Sequence, residues 1–163
     1  MDDHGTIREG VFLGVLGATG VAAWFLIVDL IAGDPFFTPR VLGEAVKSIV
    51  APESLAPPAV IVALYTVFHY ATFIIAGIIL IALIHSSARH VSILAGVVML
   101  FVALEVLFYG FVLMLQVATP LEALSWYQVG AANLVAAALM GRYLWMKHPE
   151  LTHRLNESLS GRP

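Results

Sequence analysis

The stretch AVIVALYTVFHYATFIIAGIILIALI, Ala59 to Ile84, decides the class of this chain. It is longer than the ~18 apolar residues that separate spanning helices from buried helices of soluble proteins. His69 is its only ionisable side chain apart from two tyrosines. Pro57-Pro58 opens it, and the polar turn His85-Ser-Ser-Ala-Arg-His90 closes it. A segment this oily is not covered by a small soluble domain, so the expected solvent is lipid.

Three further stretches have the same character: Val11–Gly33, Val91–Val117 and Ser125–Met146. Each can cross a hydrocarbon core of ~30 Å at ~1.5 Å per residue. The sequence therefore predicts an all-α, polytopic membrane protein: one domain over residues 1–163, a four-transmembrane-helix bundle with spans 11–33, 59–84, 91–117 and 125–146 and a polar tail over 147–163. Composition agrees. The chain is 60% hydrophobic and 12% charged with mean hydropathy +0.92, against roughly 25% charged residues in a soluble domain. A net charge of -3 without any basic run argues against nucleic acid. The absence of cysteine excludes disulfides, thiol catalysis and cysteine-held metals. The start Met1-Asp2-Asp3-His4 is acidic and the first apolar stretch is long, so it reads as a retained helix and not a cleaved signal.

Basic residues set the expected orientation. Arg8, Arg89, Arg142, Lys147, Arg154 and Arg162 fall on one side of the four spans, and only Arg40 and Lys47 on the other. The richer side is expected in the cytoplasm of a bacterial inner membrane, with both termini inside. The outer loop 34–58 carries Leu42, Ala45, Val46, Ile49 and Val50 at helical spacing, with Arg40, Glu44 and Lys47 elsewhere on the wheel. A short amphipathic helix at the outer membrane interface is expected there, or a lid over the bundle.

Two kinds of residue suggest how the helices meet. Gly10, Gly14, Ala18 and Ala22 recur every four residues in the first span, and Gly130, Ala137 and Gly141 lie with Asn133 along the fourth. Small faces let helix backbones approach closely in lipid, within the chain or against a partner subunit or second copy. Polar residues inside spans are costly, about 2.5–3.5 kcal/mol for a charge at mid-bilayer, and so usually face the protein interior. Counting from the outer ends at helical rise puts His69 about 15 Å deep, Glu105 about 18 Å and Asn133 about 12 Å, with Asp29 only about 6 Å in. Tyr65 and Thr66 share the His69 face and Tyr109 the Glu105 face. The expectation is a polar layer of His69, Glu105 and Asn133, serving as interhelical glue or as a proton or ligand site.

No phosphate loop, nucleophile elbow or His-Glu-x-x-His motif is present. The leading expectation is a non-catalytic subunit or scaffold of a larger membrane assembly. The alternative is a proton-coupled carrier using His69 and Glu105. A haem or metal protein ranks third, because only one histidine lies in a span. His85, His90 and His148, gathered at the inner face, are the weak metal candidates, and no cofactor is expected. The stretch Trp24 to Pro39, together with Asn133 to His148-Pro149-Glu150, resembles four-helix integral membrane proteins of bacteria. That resemblance implies localisation and carries no activity.

Overall fold

In a computed structural model of the chain, the described residues are 3–53, 55–86, 102, 103, 106 and 126–147. They are all-helical: α1 (Asp3–Ala32), α2 (Phe37–Val50), α3 (Pro58–Ser86) and α4 (Trp126–Lys147). Three of these, over Gly5–Ala32, Pro58–Ala82 and Trp126–Lys147, are long and apolar enough to cross a membrane. The expected third span, with Glu105 and Tyr109, lies outside the described residues except at Val102, Ala103 and Val106, which are helical and exposed. His90, His148 and the rest of the tail also lie outside them.

α1 starts at Asp3, eight residues before the apolar stretch. Hydrophobicity marks where lipid begins, whereas the helix needs only its own backbone hydrogen bonds, so it runs on through Thr6-Ile7-Arg8-Glu9. α3 starts at Pro58, whose fixed φ and missing N–H suit a first helical turn. α1 packs lengthwise against both α3 and α4, and α2 rests on α3. Ile27, Leu30 and Ile31 of α1, Val67, Ile75 and Ile79 of α3 and Leu134 of α4 are exposed, an outward apolar surface of the kind lipid covers.

The α1–α3 contact is made backbone to backbone. A methyl group built on Gly14 would come within 2.5 Å of the Ile74 Cα, and one on Gly77 within 2.7 Å of the Gly14 nitrogen. Gly10 sits the same way against Ile78. Ala18, fully buried, continues this line, but Ala22 is exposed. A four-residue step turns about 40° past a full circle at ~3.6 residues per turn, so the stripe walks off the contact. Two glycines outside the stripe, Gly17 and Gly20, instead receive α4 through Met140 and Leu139. On α4, Asn133, Ala137 and Gly141 are buried and Gly130 is half-buried.

A helix occupies the connection between α1 and α3 over Phe37–Val50, beginning five residues ahead of Leu42, the first apolar position of the expected amphipathic stretch. Its Leu42, Ala45 and Val46 are buried while Ile49 and Val50 are exposed, and Gly43 lies on the Ile61 backbone of α3. The tight α1–α2 connection uses two residues in the left-handed region, Gly33 (φ 81°) and Phe36 (φ 68°). Arg40 pairs with Asp34 at 2.5 Å and Lys47 with Glu44 at 2.9 Å, both pairs partly exposed.

Candidate functional site

His69 lies on the buried face of α3, 8% exposed, where α3 crosses α1 one turn beyond the glycine contact. Its Nε2 is 3.1 Å from the carbonyl oxygen of Ala18. A carbonyl only accepts, so Nε2 carries the proton and donates; in the neutral ring Nδ1 is then an acceptor. The Tyr65 hydroxyl is 3.5 Å from Nδ1, at the outer limit for a hydrogen bond. The rings of Tyr65 and His69 stack at 5.5 Å, and Tyr70 and Phe73 close around the imidazole at 5.8 and 4.9 Å. This aromatic collar arises from helical spacing alone, since Tyr65, His69 and Phe73 are four apart.

A second polar link runs beside it. Thr19 donates its only hydroxyl proton to the Val15 carbonyl at 2.8 Å, so its oxygen accepts from the Tyr70 hydroxyl at 3.1 Å. Thr66 donates to the Val62 carbonyl of its own helix. Toward the C-terminal end of α1, Asp29 is 2% exposed. Its Oδ2 accepts from the Thr38 backbone N–H at 2.9 Å, and its Oδ1 from the Thr38 hydroxyl at 2.8 Å. Phe36 at the start of α2 has no side-chain cap of its own. Asp29 supplies the cap from the preceding helix, with its charge at the positive end of the α2 dipole.

These groups surround a half-open cavity of about 330 Å³ between α1, α3 and the start of α2. Thr19, Tyr65, Thr66, His69 and Tyr70 line its polar side, with Asp29 and Thr38 at the end next to α2. Val21, Phe25 and Val62 are among its apolar walls, and Ala22, Leu26 and Thr66 stand exposed at its rim. Because the rim residues lie within spans, the mouth opens sideways from the helices.

The structure gathers His69, Tyr65, Thr66 and Asp29 around one space, and does not bring Asn133 into it. α1 and α4 are antiparallel, with Phe12 beside Tyr143 and Gly20 beside Ala136. That register sets Asn133 level with Ala22 and Ala23, about 6–8 Å along α1 from Ala18 at ~1.5 Å per residue. Among the described residues, neither the Asn133 amide nitrogen nor the Trp24 indole nitrogen has a hydrogen-bond partner, though both atoms are buried. Glu105 and Tyr109 lie outside the described residues. Sequence reasoning missed Thr19, Tyr70 and Thr38. Thr19 was the most visible of these, an isolated hydroxyl in the middle of an apolar helix.

Of the weak metal candidates, His85 has its Nδ1 2.9 Å from the Thr6 hydroxyl, tying the N-terminal end of α1 to the C-terminal end of α3. Among the described residues no group of three His, Asp or Glu side chains is placed to hold an ion. Searches of protein-family models, curated proteins and solved structures returned no match to this chain. The class assigned by fold and site is thus a helical, multi-pass membrane protein with a laterally open cavity beside a buried histidine.

Proposed function

We propose that the chain is a non-catalytic integral membrane protein that holds a small lipophilic molecule in the cavity beside His69. The observation that carries this reading is the cavity itself. It is mostly apolar, and a few convergent polar groups mark one side, the usual make-up of a small-molecule site of about 300–1,000 Å³. Its lateral mouth gives a molecule dissolved in the bilayer direct entry. The wider setting belongs to the same proposal: four spans, the one over 91–117 read from sequence; α2 at the outer interface; both termini in the cytoplasm of a bacterial inner membrane; and no cofactor.

A second reading, a subunit or scaffold in a larger assembly, keeps one supporting observation. The connections between consecutive described helices, 33–36 and 51–57, are too short to form a separate functional domain. The small-residue stripe of α1 lends it no support, because Gly10 and Gly14 are occupied by α3 of the same chain. Proton-coupled transport at His69 and Glu105 is a third reading, and Glu105 lies outside the described residues.

The test uses 4-octylanisole, an aromatic ring with an apolar tail, titrated into protein in lipid nanodiscs and followed by saturation-transfer NMR. The expected result is saturable binding above simple lipid partitioning, lost in Ala22→Phe, where a ring fills the mouth from an exposed position. Binding that is not saturable, or is unchanged in Ala22→Phe, contradicts the reading. A native mass showing a stable complex with other chains, combined with no saturable binding, favours the subunit reading.

A further inference from the structure

The cavity's polar side offers a donor and an acceptor side by side, neither well satisfied among the described residues. Nε2 of His69 is committed to the Ala18 carbonyl, which leaves the Nδ1 lone pair facing Tyr65. The Tyr65 hydroxyl stands 3.5 Å away, whereas a good bond from a hydroxyl is about 2.7–2.8 Å. A group inserted between them must both accept from Tyr65 and donate to Nδ1. A carbonyl cannot donate, an ether cannot donate, and an ammonium cannot accept. An alcohol or phenol hydroxyl does both, with its oxygen about 2.8 Å from each partner.

The remaining surroundings settle the charge. No lysine or arginine is among the described lining residues, and both carboxylate oxygens of Asp29 already accept from Thr38. Among the described residues a charged head would meet no counter-ion in this part of the span, where an unpaired charge is costly. The cavity volume admits a ring or a short stretch of chain but not a whole lipid, so an apolar body must leave through the mouth at Ala22, Leu26 and Thr66.

We propose that this site takes a neutral lipid whose head is a single hydroxyl, held between the Tyr65 hydroxyl and Nδ1 of His69 with its apolar body projecting laterally into the bilayer. The inference rests on the ligand-holding function proposed above and adds the chemistry of the head. Such a hydroxyl can come from an aromatic head, a phenol or quinol, or from an aliphatic alcohol.

Two matched pairs test it in nanodiscs: 4-octylphenol against 4-octylanisole, and 1-dodecanol against its methyl ether. The expected result is that at least one hydroxyl compound binds about tenfold more tightly than its ether, the worth of one or two net hydrogen bonds. The pair with the larger ratio identifies the source. Tyr65→Phe, which keeps the ring and removes only the hydroxyl, should bring that ratio close to one. Equal binding of hydroxyl and ether to the unaltered protein overturns the hydroxyl assignment while leaving the ligand-holding reading intact. A ratio that survives Tyr65→Phe also overturns it. If no compound binds saturably, both readings fall, and the comparison on the unaltered protein decides even where the variant does not fold.

Discussion

The His69 imidazole donates from Nε2 to the Ala18 carbonyl oxygen across 3.1 Å, a side chain of α3 reaching the backbone of α1. The bond lies one turn beyond the glycine contact, where the two helices begin to part and the cavity opens. It therefore fixes the ring and limits how far the helices separate. A hydrogen bond between membrane helices contributes about 0.6 kcal/mol on average and up to about 1.7. Replacing His69 by Phe should lower stability by about 1 kcal/mol. His69→Gln, which can still donate to Ala18, should lose less. Unfolding in mixed micelles measures both, and equal losses contradict a role for this bond.

Asp29 and Thr38 should behave as one unit. Both carboxylate oxygens are used, one by the Thr38 N–H and one by its hydroxyl, and bonds to a charged group are worth about 1.5–3 kcal/mol. Asp29→Ala leaves the first turn of α2 without its cap and should cost about 2 kcal/mol or more. Thr38→Val removes only the hydroxyl bond and should cost about 1 kcal/mol. The double variant should cost less than the sum, because the two share a bond. Full additivity in the same unfolding assay contradicts the pairing.

Position matters more than residue size along α1. Gly14→Val drives a side chain into the Ile74 backbone, which cannot move aside as a flexible side chain would, and should cost roughly 3 kcal/mol. Ala22→Val, at an exposed position two turns further on, should change stability by less than about 0.5 kcal/mol. A comparable loss at both positions contradicts the α1–α3 packing.

The ion pair at the α1–α2 connection is expected to contribute little. The Arg40 and Asp34 side chains are 39% and 49% exposed, so water and salt screen their attraction. Arg40→Met should cost under about 1 kcal/mol, and the difference should shrink as salt is raised. A larger, salt-independent loss points to a structural role beyond charge.

The spans were legible because hydrophobicity is a local property: the stretches around Leu13, Ile81 and Met140 are oily over many residues, whatever packs on them. His69 was legible as an interior residue for the complementary reason, since an ionisable group surrounded by apolar neighbours needs a partner. That partner was not legible, because it is a main-chain carbonyl, at Ala18, which every residue type possesses. The capping role of Asp29 was not legible, because the turn that folds α2 back over it depends on Gly33 and Phe36 together. A carboxylate capping a helix from nine residues upstream falls outside the short capping-box spacing.

The central claim is that the cavity beside His69 opens into lipid and not into water. Since the chain has no cysteine of its own, a single Thr66→Cys places one thiol at the mouth. With the protein in intact membranes, its labelling by a charged, water-confined thiosulfonate can be compared with labelling by a lipid-soluble maleimide, using Glu53→Cys in the α2–α3 connection as the water-facing reference. The account predicts that the lipid-soluble reagent labels position 66 while the charged reagent labels only position 53. Rapid reaction of position 66 with the charged reagent would contradict it.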